Sequence, residues 1–173
     1  MSGLVSNPMD KPEASKVTLF GIADYAWNIN GFKSDEAWKE GIVRLYPQAA
    51  EAMQAFVDHN SDQGPNGHGY RREESVNIAP VVTRVLEAAR EGRVVKSDTA
   101  LLKKEFSRMA AAAPVIREKV DNPRLMKEIG AWVDAFEQLG MAGQHAVAAL
   151  ENSSPKAAVT ALVKATQALA AMD

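Results

Sequence analysis

Between Leu102 and Val120 the apolar residues Leu102, Phe106, Met109, Ala113, Ile116 and Val120 step by four, three, four, three and four. That spacing suits only a helix that buries one stripe against other helices. The same alternation returns after Asn122-Pro123 in Leu125, Ile129, Trp132, Phe136, Leu139, Gly143, Ala146 and Leu150. A weaker form follows Ser154-Pro155 in Ala158, Leu162, Ala165, Leu169 and Met172. With a helix capped by Asn77 (Ile78, Val81, Val82, Val85 and Ala89 inward, stopped at Gly92), these segments predict an up-and-down antiparallel bundle of four from Asn77 onward. Pro114 is expected to kink its helix, and Gly140 and Gly143 to admit a neighbour closely.

The first half is less regular. Ser34 is placed to cap a short helix carrying Trp38, Ile42 and Leu45, and Pro47 to open another carrying Ala50, Met53 and Val57. Upstream, Asp10, Pro12 and Glu13 predict a helix start of capping-box type. Val17, Leu19, Phe20, Ile22, Tyr25 and Trp27 then lie all round that helix, so it should be buried on most sides, although little chain is left to bury it. Residues 1 to 9 read as a strand end closing at Asn7-Pro8, with no second strand to pair with, as if cut from a sheet. The fold class expected is therefore all-α, an antiparallel helical bundle preceded by a remnant of a strand-containing domain.

Between Asn60 and Ser75 the helical period disappears. The run NSDQGPNGHGYRREES is longer than an ordinary connection, and loops of that length in compact domains tend to be functional or disordered. Arg71, Arg72, Glu73 and Glu74 could pair among themselves and hold it in shape. It is as readily a solvated connection as a binding rim.

The remaining chemistry is thin. His59, His68 and His145 have neither the i, i+4 spacing nor the nearby carboxylates of a metal site, so no metal and no cofactor is expected. Asp35-Glu36 stands where a helix N-terminus favours negative charge, which is a sufficient reason for it. No nucleophile elbow or phosphate loop is present, so the chain carries no complete catalytic site. Twenty Lys and Arg against 22 Asp and Glu leave a formal charge of -2, which argues against nucleic acid or an anionic membrane as partner. The absence of cysteine fits the reducing cytosol and an exported protein equally, leaving the compartment open.

Two longer stretches carry a resemblance. GLVSNPMDKPEASKVTLFGIADYAWN (Gly3 to Asn28), the Ala37-Trp38 pair and HNSDQGPNGHGYRREES (His59 to Ser75) resemble bacterial O-GlcNAcases and hyaluronidase-like β-N-acetylglucosaminidases of glycoside hydrolase family 84. The resemblance implies a (β/α)8-type barrel followed by a helical domain. It implies removal of β-linked N-acetylglucosamine by substrate assistance, in which two neighbouring aspartates orient the acetamido group and protonate the leaving oxygen. Residues 1–30 would then be the last strand and helix of the barrel, and residues 31–173 the helical domain.

This sequence contains no Asp-Asp pair. By itself the chain is thus expected to be inactive, with no catalytic residue of its own. By resemblance Asn7 would bond sugar hydroxyls, and His68 would reach the pocket rim on the leaving-group side. The implied partners are an N-acetylglucosamine-bearing protein or glycan and the chain's own catalytic barrel, with self-association as a way to cover the barrel-facing helix. The rival reading is a stand-alone helical module that binds a protein partner.

Overall fold

The computed structural model describes residues 5–6, 10–60, 75–152, 160–161 and 163–167. Six helices are complete within them: α1 (Lys16–Trp27), α2 (Ser34–Leu45), α3 (Ala50–Asp58), α4 (Ala79–Arg90), α5 (Lys96–Lys119) and α6 (Pro123–Glu151). Residues 160–161 and 163–167 are helical as well, and Ala161 and Ala165 are buried. Among the described residues there is no strand, so the all-α class holds. The strand expected at residues 1–9 lies almost wholly outside them, and Val5 is exposed.

The α5–α6 pair is the spine. It closes antiparallel, since Thr99 at the start of α5 bonds Glu151 at the end of α6 (2.7 Å) while α6 begins directly beyond Val120. Asn122 caps α6 as its sequence predicts, its side chain accepting from the Leu125 amide at 3.0 Å, with Pro123 in the first turn. Gly140 and Gly143 bring the helices together. A Cβ on Gly140 would sit 2.6 Å from the Ala110 amide nitrogen, and one on Gly143 would run into the Phe106 ring. α5 continues through the exposed Pro114 to Lys119.

The buried stripe of α6 differs from the expected one. Trp132 and Leu139 are exposed, and Val133, Gly140 and Val147 take the core-facing positions. Where two backbones approach this closely a β-branched or glycine face fits, and an indole does not.

One core joins both halves of the chain. Val17 of α1, Ile42 of α2, Met53 and Phe56 of α3, Met109 and Ile116 of α5, and Leu125, Val133 and Phe136 of α6 form a single cluster. Fully burying each such side chain is worth about 1.5–3 kcal/mol. A smaller cluster of Val81, Val85, Leu102 and Val147 seats α4 on the spine, and Phe106 touches both. α4 ends as predicted, with Gly92 at φ 71° and Arg93 donating to the Ala88 carbonyl at 2.9 Å. Arg84 ties α4 to α5 by a two-pronged contact with Asp98 (2.8 and 2.9 Å).

Several helix starts differ from expectation. α1 begins at Lys16, after a run of turns, rather than at Asp10. The turn ahead of α1 is held from α6, where the Glu128 carboxylate accepts from the Glu13 and Ala14 amides at 3.2 and 2.9 Å. Glu13 meanwhile accepts from Lys16 and from Asn122 (2.7 Å). The residues preceding α2 and α4 are Lys33 and Ile78, neither with a capping side chain, so Ser34 and Asn77 do not cap. α1 buries only Val17 fully, with Phe20 half-buried over Gly41 of α2; Tyr25, Trp27 and Ile29 are exposed.

Candidate functional site

Asn7 and His68, the two residues expected to meet sugar, lie outside the described residues, as do Arg71 to Glu74. What the structure does describe is the stem from which the segment holding His68 departs and to which it returns. α3 delivers Asp58, His59 and Asn60 on one side, and Ser75 re-enters on the other. The Ser75 amide donates to the Asp58 carbonyl at 2.7 Å, so the two ends touch backbone to backbone. Asn60 closes the end of α3 by donating from Nδ2 to the Phe56 carbonyl (2.8 Å).

A chain of side chains fastens this stem to α5. His59 places Nδ1 2.7 Å from the Ser75 Oγ and Nε2 2.8 Å from the Glu105 Oε1. Arg108 binds Glu105 through Nε (3.0 Å) and Nη2 (2.5 Å) and reaches Asp58 at 3.2 Å. Gln54 donates to the other oxygen of Asp58 at 2.6 Å. The His59 side chain is only 6% exposed and its ring lies 5.9 Å from that of Phe136, which meets Phe56 edge-on.

The charge on Glu105 sets the direction of its own hydrogen bonds. Burial pushes the Glu105 carboxyl up, but hydrogen bonds from Arg108 and His59 outweigh it and hold it below the usual carboxylate range. An ionised carboxylate only accepts, so the imidazole donates from Nε2 to Glu105, and at Nδ1 it shares a hydrogen bond with the Ser75 hydroxyl. Serine, imidazole and carboxylate thus stand in the order used for nucleophilic catalysis, but with the ring reversed. Arg108 already neutralises the carboxylate, and the ring is sealed from solvent. These features suit a fastening rather than a relay. Ser75 holds φ at 55°, the left-handed region that a non-glycine residue enters only under constraint.

In the sequence His59 stands out as a rejected metal-ligand candidate and as the first residue of the run His59 to Ser75. The described residues contain no group of three His, Cys, Asp or Glu able to hold an ion. His145 is half-buried on α6, and Asp35 and Glu36 are exposed in the first turn of α2, Glu36 paired with Lys33 at 2.8 Å. No described helix is long and apolar enough to cross a membrane.

Two hollows lie among the described residues. A groove of about 600 Å³ runs between α2, α3 and α5 over Ile42, Ala52, Ala55 and Ala112. A smaller one of about 320 Å³ lies beside Tyr46, Lys16 and Asn122. Burial, with the nearby Glu13 and Glu128 charges, pushes the Tyr46 hydroxyl up to about 12.

Comparison with known proteins gives two adjacent matches. Residues 74–172, more than half of the chain, match the family described as the bacterial GH84 post-catalytic domain. The chain belongs to that family. Residues 1–58 match the β-N-acetylglucosaminidase family. The GH84 structure CpGH84D is similar over 94% of this chain at 30% identity, with a TM-score of 0.86. CpGH84B shares the fold over 99% of the chain with the same TM-score at 23% identity. The chain spans 28% and 30% of those two proteins, so this GH84 domain corresponds to less than a third of either. The stem built by Asp58, His59 and Ser75 falls where the two family matches meet.

Proposed function

We propose that this chain is the helical part of a glycoside hydrolase that removes β-linked N-acetylglucosamine by substrate-assisted catalysis, with the two orienting and protonating carboxyls supplied by the catalytic domain. Residues 1–30 complete that domain, and residues 31–173 support it and line the rim of its pocket. Asn7 bonds sugar hydroxyls, and His68 meets the leaving-group side. The substrate is an N-acetylglucosamine-bearing protein or glycan.

The observation that carries this reading is the stem at Asp58, His59 and Ser75. It is anchored to the spine by the Glu105–Arg108 pair, as a rim that must hold its place beside a pocket requires. The apolar end of α1, where Tyr25, Trp27 and Ile29 stand exposed, gives further support, because a surface of that kind calls for a covering domain. A stand-alone interaction module would give no reason for a match to a catalytic family over residues 1–58.

The test is made in the enzyme with its catalytic domain present. Asn7→Ala should lower kcat/KM on an aryl glycoside and on a glycopeptide alike, since one lost hydrogen bond costs about 0.5–1.5 kcal/mol on either. His68→Ala should weaken the glycopeptide only. Equal losses on both substrates for His68→Ala would remove it from the leaving-group side. The chain on its own should show no turnover of an aryl N-acetylglucosaminide above a blank, and any such turnover would overturn the division of labour.

A further inference from the structure

We infer that the hollow between the α2–α3 and α5–α6 connections is a binding site for one neutral, hydroxyl-rich ring, a monosaccharide unit, read by the hydroxyl of Tyr46. The Tyr46 side chain belongs to the main core, and only 7% of the residue is exposed. Its backbone is fully used, the amide donating to the Ile42 carbonyl and its own carbonyl accepting from Ala49. The hydroxyl makes no hydrogen bond among the described residues, yet it is not sealed in, so it opens into the hollow that the residue lines. Phenylalanine would fill the same place in the core without carrying a polar atom into it. A hydroxyl brought this far inward without an internal partner is bonded by something that enters from outside.

The walls select the ligand class. Lys16 and Lys119 line the hollow but are already paired, with Glu13 and Glu118, so they offer no net positive charge to capture an anion. Glu13 and Glu128 also lie close enough to place negative charge on the Tyr46 hydroxyl, which disfavours an anion further and keeps the phenol protonated. A cation is disfavoured in turn by the two ammonium groups. What remains is hydrogen-bonding capacity without net charge. Each ammonium has donors beyond the one spent on its carboxylate, the exposed Gln48 amide offers donors and an acceptor, and the Asp121 carboxylate accepts. Leu45 and Val120 supply an apolar wall. Hydroxyls that both give and take hydrogen bonds, set on a ring with a C–H face, match this lining. A hollow of about 320 Å³ stands at the small end of ligand sites, which run from about 300 to 1,000 Å³, so it holds a single ring rather than a length of chain.

The test is an amide NMR titration of the 173-residue chain with glucose and with N-acetylglucosamine. Saturable shifts should appear at the amides of Tyr46, Gln48, Val120 and Asp121, with dissociation constants in the millimolar range. Sodium sulfate and ethylammonium chloride at matched concentrations should give no saturable shifts there. Tyr46→Phe removes only the hydroxyl, and it should weaken sugar binding about threefold or more while leaving Tm unchanged. Gln48→Ala, at an exposed position, should weaken binding without touching the core. No saturable shift with either sugar, shifts confined to other parts of the chain, or tighter binding of sulfate or ethylammonium would overturn the inference. So would a Tyr46→Phe chain that binds sugar as tightly as the wild type. A fall in Tm for Tyr46→Phe would show that the hydroxyl is bonded within the protein, and the site would lose its reader.

Discussion

The tightest point of the fold offers the sharpest test of its packing, through Gly140→Ala. A Cβ at that position would lie 2.6 Å from the Ala110 nitrogen, 2.9 Å from the Phe106 carbonyl oxygen and 3.0 Å from the Met109 Cβ. Two of these are backbone atoms of α5, held by helical hydrogen bonds, so no rotamer change can relieve them. The helices must separate by roughly 1 Å to restore ordinary contact distances. Overpacking of this kind costs about 3 kcal/mol, the upper part of its usual range, because the neighbours are rigid. Replacing a mid-helix glycine by alanine returns about 1 kcal/mol of helix propensity. The net expectation is a loss of about 2 kcal/mol, or roughly 4–8 °C in Tm for a chain of this size. Gly130, on the same helix with nothing within 4 Å of its would-be Cβ, is the internal control. Gly130→Ala should gain about 0.5–1 kcal/mol. Thermal and urea unfolding of the wild type and both variants measure this directly. If Gly140→Ala proved as stable as Gly130→Ala with unchanged cooperativity, the close α5–α6 approach would be refuted.

Two further expectations concern the polar fasteners. Glu105 is held below its ordinary value of 4.5, so its share of stability is fully present above that pH and is lost as pH falls through its lower, folded-state value. Glu105→Gln should lower neutral-pH stability and flatten the acid limb of a stability–pH curve, and an unaltered acid limb would count against the His59–Glu105–Arg108 arrangement. Glu128→Ala removes the acceptor of the Glu13 and Ala14 amides. It should cost about 1–3 kcal/mol and speed amide exchange at those two positions ahead of α1; exchange rates matching the wild type would show that the turn is held otherwise.

Much of the helical plan could be read from residue spacing because it rests on local rules. Asn122 and Pro123 supply a cap and a first-turn residue within two positions, Gly92 ends a helix, and Gly140 and Gly143 announced a close neighbour. Spacing failed where distant groups took over a local role. Asp10 and Glu13 have the pattern of a capping box, but α1 starts later, and Glu128, more than a hundred residues away, binds the amides of the turn ahead of it. Trp132 fits the heptad count as well as Val133 does, and only the proximity of α5 decides for the smaller residue. The His59 fastening was invisible for a related reason. Its partners stand 16 and 46 residues downstream, and no local spacing ties His59 to Ser75 or to Glu105.

The two family matches divide the chain at residues 58 and 74, but the packing does not divide there. Phe56 and Phe136 meet edge-on at 5.5 Å across that boundary, and α3 lies directly on α5. Residues 74–172 alone would leave Met109, Ile116, Leu125 and Phe136 without the α2 and α3 side chains that now cover them. They would also lose Asp58 and His59, leaving Glu105 and Arg108 with only each other. Uncovering four large apolar side chains at about 1.5–3 kcal/mol each is comparable to the whole stability of about 5–15 kcal/mol expected of a domain. A chain of residues 74–172 should therefore keep helical circular dichroism from the α5–α6 spine, yet bind a hydrophobic dye and unfold without a sharp transition, whereas the full 173 residues should unfold cooperatively. A sharp transition in the shorter chain at the temperature of the longer one would mean that the matched region is a folding unit by itself, and that the core cluster spanning residues 17 to 136 contributes little to stability.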